Sequence, residues 1–502
     1  MANIVPFFTI IPLFTAFAIS LLGRIFKNAF IHTLSIVSQF ILLVLSLLSS
    51  VLLHRFVDGK ILVYKIGGWI PPFGICMVLD GLSSFMLVTV NLLAFFVAIY
   101  SLNYMNKYTD KPKFFTLFFL MLTGMNGVIV TGDLFNLYVF LEIASIAGYA
   151  LVAFGTEAEE LEASFKYAVM GSVASAFIFI GIAFLYGFVS TLNMADMARI
   201  LGTKTNQWVL PFVSALFFMG FGLKAALVPF HAWLPDAHPS APASISAMLS
   251  GVLIKALGIY ALARILFNIF GILPVYSKIL MFLGALSMLV AVVLALSQWD
   301  LKRLLAYHSI SQIGYIALGI GLGTPLGILG GLYHLFNHSI FKSLLFLNSG
   351  AIDYAINSRD LKDMSGLRER MPITYHTNLI ASMSIAGIPP FNGFFSKLII
   401  IIACIQSGYI TYAIAAVVGS LLTLASFMKV QKFAFLGELK EKYRDAKEVP
   451  LAMQLSMVVL SIICITGGLL LLPSLRYFLD NAVNVLLDGS NYANRVLETA
   501  LK

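Results

Sequence analysis

The stretch 216-LFFMGFGLKAALVPF-230 closes an apolar run that starts near residue 208, and it carries a lysine followed five residues later by a proline. A charge at the centre of a bilayer-spanning helix costs roughly 3 kcal/mol on insertion scales, so such residues are by default functional and partnered. Proline removes one helical hydrogen bond and clashes with the preceding turn. In lipid the break is tolerated only where protein or water satisfies the freed carbonyls. A broken membrane helix beside a buried lysine therefore implies local water, which a mobile proton needs. A plain packing kink is the competing reading of Pro229.

The rest of the chain agrees with a membrane setting. Of its 502 residues, 60% are hydrophobic and 11% charged, with a mean hydropathy of +0.94. Soluble domains carry roughly 25% charged residues. The net charge of +9 does not point to nucleic acid, because no basic run interleaves with exposed aromatics. It fits the surplus of Lys and Arg in cytoplasmic loops of membrane proteins. Cys76, Cys404 and Cys464 lie far apart in apolar runs with no CxxC or Cys/His spacing, so no metal or cofactor is expected in this chain. Any redox chemistry coupled to it belongs to another chain. The first basic residue, Arg24, follows the first apolar stretch, which reads as a retained helix and not a cleaved signal.

Spans of about 20 apolar residues are predicted near 4–22, 29–53, 78–103, 113–131, 134–154, 165–190, 208–230, 244–268, 278–297, 303–322, 326–350, 376–403, 410–434 and 450–472. The fold class is an all-α integral membrane protein with about fourteen transmembrane helices, and 113–131 forms a hairpin with 134–154. Basic residues concentrate in alternate loops, including Arg24, Lys27, Lys107, Lys302, Arg303, Arg359, Lys440 and Lys442. The opposite loops hold fewer, among them Arg55, Lys60, Lys65, Arg199 and Lys204. That asymmetry places both termini outside a cytoplasmic membrane.

An internal repeat organises the spans. Ser, Gly and Tyr share their spacing in 145-SIAGYAL-151 and 311-SQIGYIAL-318, and 229-PFHAWL-234 resembles 390-PFNGFF-395. Two five-helix units fit, at 113–268 and 278–434, flanked by a three-helix segment 1–112 and a C-terminal helix and tail at 450–502. Five is odd, so the second unit inserts inverted, an arrangement common in ion-coupled transporters. Pro389, Pro390 and Gly393 then break the second unit's helix where Pro229 breaks the first.

Ionisable residues recur inside these spans. Glu142, Lys224, Lys255 and Lys397 are each flanked by apolar runs. A purely structural Glu–Lys pair is the plain alternative, weakened by four such residues on separate helices. His334, His338 and Lys342 follow one another at spacings of four, each step rising about 6 Å along one helical face. Histidine accepts and releases protons near neutral pH. Two histidines so spaced also suit zinc, though no third ligand is evident in the sequence. His308 lies 166 residues after Glu142 and takes its place in the second unit. His231, Asp236 and His238 flank a predicted membrane boundary and are possible points of proton entrance or exit, or ordinary interfacial residues. Asp80 and Asp133 fall near helix ends and read as caps or as snorkelling side chains.

Taken together, 132-GDLFNLYVFLEIASIAGYAL-151, 223-LKAALVPFHAWLPDAHPSAPASISAMLSG-251, 299-WDLKRLLAYHSISQIGY-315 and 334-HLFNHSIFKSLLFL-347 resemble the antiporter-like membrane subunits shared by respiratory complex I, Mrp cation/proton antiporters and membrane-bound hydrogenases. The similarity covers nearly the whole chain. It implies fourteen helices with the seventh and twelfth broken, and a polar axis at the membrane midplane. Along that axis Glu142 and Lys224 match the family's Glu–Lys pair, Lys255 the central lysine, His334 and His338 the linking histidines, and Lys397 the position near the second half-channel. One class of complex I subunit has Glu there, which argues against that class. About 30 residues follow the last span, which looks most like the medium-sized D component of Mrp antiporters and its counterpart in membrane-bound hydrogenase or sulfur-reducing complexes. The resemblance implies proton translocation coupled to sodium or another cation, with other membrane subunits as partners. A proton-pumping subunit of a quinone-reducing enzyme, a silent scaffold and a stand-alone carrier are the alternatives.

Overall fold

The computed structural model describes residues 1–23, 25–26, 28–57, 61–108, 110–203, 208–271, 273–489 and 491–501. Arg24, Lys27, Lys60 and Lys204, which enter the loop-charge argument, lie outside them. The chain is overwhelmingly helical. Helices α1 (Phe7–Leu22), α2 (Asn28–Phe56) and α3 (Gly81–Tyr104) precede the hairpin of α4 (Lys111–Val130) and α5 (Leu134–Val152). There follow α6 (Ala158–Val189), α7 (Met194–Thr203), α8 (Val209–Ala225), α9 (Leu234–Ser240) and α10 (Ala243–Ile269). The second half holds α11 (Pro274–Leu296), α12 (Leu301–Gly321), α13 (Pro325–Ile356), α14 (Pro372–Ala386), α15 (Asn392–Gln406), α16 (Ile410–Val430), α17 (Leu451–Thr466), α18 (Tyr477–Leu487) and α19 (Asn491–Leu501).

Length and hydropathy select ten of the described helices as able to cross a membrane. The expected spans outside those ten fall on α12 and α13, which are rich in polar residues, and on α8 and α14/α15, which are interrupted. Span 208–230 ends as helix at Ala225 and resumes at Leu234, and span 376–403 stops at Ala386 and restarts at Asn392. Both interruptions fall at the prolines that signalled them.

Polarity is distributed inside out. Every residue of α10 is buried although it carries Lys255 and Arg264, and α13 is buried from Gly327 to Ile352 around His334, His338 and Lys342. Large apolar side chains such as Phe14, Phe40, Phe165, Phe184 and Leu421 instead face outward, as hydrocarbon requires. Water does not drive these helices together, so small residues set their closest approaches. A Cβ on Gly314 of α12 would stand 2.4 Å from the carbonyl oxygen of Gly284 on α11, so this crossing admits only glycine.

Three features outside the spans went unread in the sequence. Strands β1 (Ile61–Lys65) and β2 (Cys76–Asp80) pair antiparallel with Ile61 opposite Asp80. The short α7 packs against α19. The stretch beyond residue 472, expected as a tail, holds α18 and α19, which bury Leu479, Val485, Tyr492 and Val496. These helices alternate apolar and polar faces over 11 residues each, too short for a search tuned to 20-residue spans. The Lys65 ammonium donates to the Ala500 carbonyl at 2.9 Å and ties the tail to β1.

A buried polar axis as candidate functional site

Glu142 sits on α5 and Lys224 in the last turn of α8, just before the chain leaves the helix at Ala226 (φ 56°). The lysine is therefore at a helix C-terminus, where the helix dipole favours a cation, and only the break puts that terminus inside the protein. Lys224 Nζ lies 3.8 Å from Glu142 Oε1 and donates to Ser145 Oγ at 2.9 Å and, at 3.5 Å, to the Tyr149 hydroxyl. Ser175 on α6 donates to the other side of the pair, at Glu142 Oε1. The lysine is buried, but the Glu142 side chain keeps 27% exposure, on an outward face shared with Val139 and Ile146.

The Trp233 indole donates to the Leu223 carbonyl at 3.0 Å, Leu227 N–H reaches Gly222 O at 2.9 Å, and Val228 N–H reaches Ser287 Oγ at 2.9 Å. Protein groups thus take up part of the backbone freed at this break. Pro229 lies within that loop.

At the centre, α10 is wound with wide turns over Leu249–Leu253 and Lys255–Tyr260. Such turns displace backbone carbonyls from their usual partners and recur at functional sites. Lys255 Nζ takes two of them, Ser250 O at 2.6 Å and Gly251 O at 2.5 Å. Facing it on α13, His334 and His338 stack with ring centroids 6.3 Å apart. His334 is held by Ser396 Oγ (2.9 Å) and Gln312 Oε1 (3.2 Å). Both nitrogens of His338 and the ammonium of Lys342 are fully buried without a hydrogen-bond partner. Lys255 and Lys342 lie close enough to repel one another. Unpaired buried polar groups are costly, so this stretch is where ordered water belongs. The zinc alternative finds no support in the geometry: both nitrogens of His334 are engaged by Ser396 and Gln312, and no group of three potential ligands gathers among the described residues.

The second break repeats the first with one difference. Gly387 (φ 80°) ends α14, and Pro389 and Pro390 precede α15. Lys397 comes from the far limb, α15, and reaches back to the carbonyl of Ile385 at 2.7 Å, to Ser420 Oγ at 3.2 Å and over the Tyr315 ring at 4.7 Å. Tyr315 stands 166 residues after Tyr149, and the two lysines arrive beside these tyrosines from opposite sides of their breaks. His308, expected in the place of Glu142, bonds Ser426 Oγ at 2.8 Å. Gly393 is fixed by space: a Cβ there would meet the Ser384 carbonyl oxygen at 1.9 Å. Gly393→Ala should push α15 off α14 and lower the thermal stability of the assembled protein by about 1–3 kcal/mol, measurable as a fall in its unfolding midpoint. An unchanged midpoint would show that the limb yields freely.

Asp236 lies at the rim of a charged cleft, formed by two adjoining cavities of about 410 and 500 Å³ that share Glu159, Ser240 and Arg359. Asp236 pairs with Lys166 of α6 at 3.0 Å and with Arg303 of α12 at 3.5 Å, joining those two helices. Below it, Lys302 donates to Ala241 O at 2.8 Å and Arg359 to Pro239 O at 2.6 Å. His238 is fully buried, unpartnered at both nitrogens, and within electrostatic reach of Lys302, Lys255 and Lys342. His231 stays in the first break, partly buried, its Nδ1 unpartnered.

The structure thus gathers Glu142 with Lys224, and Lys255 with His338, Lys342 and His238, while His334 meets the first turn of α15 next to Lys397. Asp133 caps α5 as expected, bonding Asn136 N–H at 2.8 Å. Asp80 caps α3 but also forms a buried ion pair with Arg264 at 2.8 Å. Arg264 was missed although it satisfies the rule that found the lysines. Tyr149 and Tyr315 were legible as repeat positions but not as neighbours of the amines, and Ser175, Gln312 and Ser396 carry no signal in the sequence.

Residues 131–423 match the family described as NADH:quinone oxidoreductase/Mrp antiporter, TM, and residues 69–115 match the complex I chain 5 N-terminus. The chain is 36% identical to the D component of the Na(+)/H(+) antiporter of Alkalihalophilus pseudofirmus, over 93% of this chain and 95% of that one. It is 35% identical to the N component of the NADH-quinone oxidoreductase of Desulforudis audaxviator, over 92% and 94%. Chains in the Mrp complex from Dietzia sp. and in the archaeal membrane-bound sulfane sulfur reductase each superpose with a TM-score of 0.90 at 30% identity, covering 99% of this chain and 100% of theirs. The chain belongs to the NADH:quinone oxidoreductase/Mrp antiporter family of membrane proteins.

Proposed function

We propose that the chain is a proton-translocating, antiporter-like subunit of a multisubunit membrane complex, exchanging H⁺ against Na⁺ or another cation. The observation that carries this is the Glu142–Lys224 pair at 3.8 Å, set at a helix break and accompanied by the buried amines and imidazoles of Lys255, His338, His334 and Lys397. The chain crosses the membrane fourteen times, with 113–268 and 278–434 inserted in opposite senses and both termini outside. Relatives named as D components of Na(+)/H(+) antiporters, and neighbours solved within an Mrp complex and a sulfane sulfur reductase complex, supply the assembly.

Ionised Glu142 holds a proton on Lys224 by attraction across a poorly screened gap. When a neighbouring protein of the complex pulls the carboxylate away, the ammonium is left buried and unpaired, which favours proton release. The proton passes to Lys255, crosses the unpartnered His338 to His334, and reaches Lys397. The cleft at Asp236, with Lys302 and His238 behind it, serves as the inlet between the two repeats. His308 and Lys342 set the electrostatic environment of the second half.

Glu142→Gln keeps shape and hydrogen bonding but removes the switching charge. In proteoliposomes holding the purified complex, it should reduce proton-coupled cation flux about 100-fold, the weight of a roughly 3 kcal/mol coupling. Wild-type flux in that variant would sink the proposal. A proton-pumping role in a quinone-reducing enzyme is the second reading, favoured by the match to the NADH-quinone oxidoreductase component. Proteins that co-purify with the chain separate the two.

A further inference from the structure

The exchange reading needs a route for the second ion, and the amine axis is ill suited to it, since Lys224, Lys255, Lys342 and Lys397 repel a metal cation. The N-terminal helices offer the opposite chemistry. Residues 7–22, 28–54, 81–104 and 114–130 contain no Asp, Glu, Lys or Arg, yet the interface among α1–α4 is polar. On α2, Ser35, Gln39, Ser46 and Ser49 recur at helical spacing and are essentially inaccessible.

Two hydrogen-bonded groups mark this seam. Thr15 Oγ1 of α1 donates to Ser38 Oγ at 2.8 Å. Further along, Asn91 of α3 donates to Ser46 Oγ at 3.0 Å, lies within 3.5 Å of the Asn126 amide on α4, and Asn126 donates to the Phe8 carbonyl at 3.0 Å. Between them stands Gln39, fully buried, with neither its amide oxygen nor its amide nitrogen bonded. The Ser35 hydroxyl, one turn away, is in the same state. Leaving such groups dry is costly, so a polar occupant belongs there. Toward the α1–α2 connection, the unpartnered Thr116 hydroxyl borders a cavity of about 210 Å³ that also touches Ser20 and Lys113.

Neutral hydroxyl, amide and carbonyl oxygens are the ligands that hard cations choose. A carboxylate-free set suits a monovalent ion that must leave again, with water filling its remaining coordination and accepting from the Gln39 amide nitrogen. We infer that the interface of α1–α4 around Gln39 and Ser35 binds a partly hydrated alkali cation, separate from the lysine axis. The inference deepens the exchange reading and rests on it for its purpose, but not for its test.

That test is equilibrium sodium binding to the purified complex, read by sodium NMR line broadening at constant pH, with no transport required. Gln39→Leu should weaken the binding about tenfold, equivalent to roughly 1.4 kcal/mol. Gln39→Glu supplies a negative oxygen at the same place and should tighten it, a change that misfolding cannot imitate. Glu142→Gln should leave the binding unchanged while flux is lost. Unaltered sodium binding in both Gln39 variants would overturn the inference and leave the seam with water only. Sodium binding lost in Glu142→Gln but not in Gln39→Leu would move the ion onto the lysine axis.

Discussion

Lys224→Arg should assemble normally and transport nothing. Arginine keeps the cation that Glu142 needs but does not give up its proton, so this variant separates holding the carboxylate from carrying the proton. Lys224→Met removes both roles. It leaves Glu142 without its cation at 3.8 Å and Ser145 and Tyr149 without their donor. Removing one partner of a buried pair costs roughly 3–5 kcal/mol, which corresponds to a loss of about 100- to 1,000-fold or more in a step that depends on it. Both variants are measured as cation-dependent acidification in proteoliposomes, beside a size-exclusion profile of the complex. Transport by Lys224→Arg at near the native rate would rule out the amine as a proton carrier. Failure of both variants to assemble would make the pair a structural element instead, and the Gln substitution at Glu142 then distinguishes charge from fold.

The axis was legible because hydrocarbon makes charge conspicuous. Glu142, Lys224, Lys255 and Lys397 stand out against apolar neighbours, and prolines 229, 389 and 390 announce the two helix breaks. What the sequence could not convey is how each charge is satisfied. Lys255 depends on wide helical turns that release the carbonyls of Ser250 and Gly251, a backbone state with no residue signature. Lys397 reaches Ile385 O only because its break folds the far limb back on the near one. Helices α7, α18 and α19 escaped since they are short and amphipathic, and their burial comes from tertiary packing. The partners of the first break were hidden for a similar reason: Trp233 folds back onto the Leu223 carbonyl, a contact ten residues long in sequence. Unpartnered buried atoms lie at His231 in the first break as well as at His238, His338 and Lys342, so hydration is expected at the first break and at the centre of the axis.

Arg264→Met should be among the most destabilising single changes in the chain, by about 3–5 kcal/mol. Arg264 bonds both oxygens of Asp80, at 2.8 and 2.9 Å, and also Asn268 Oδ1 at 3.2 Å, with Tyr260 and Tyr492 rings close to its guanidinium. It therefore joins α10 to the start of α3 and to the tail helix α19. Deleting the arginine strands an ionised carboxylate that is almost wholly buried. Asp80→Asn removes that charge while still capping α3, because asparagine accepts the Ser83 N–H as well as aspartate does. The double variant Asp80→Asn/Arg264→Met should thus recover a large part of the loss, giving a coupling of about 2 kcal/mol or more in a double-mutant cycle. Unfolding midpoints of the purified complex provide the measurement. Simple additivity would mean that the pair is decorative and that the packing of Tyr260, Tyr492 and Asn268 holds this end of the protein by itself. The pair lies away from the lysine axis, so both variants should retain proton-coupled flux per assembled complex, which separates a fold defect from a transport defect.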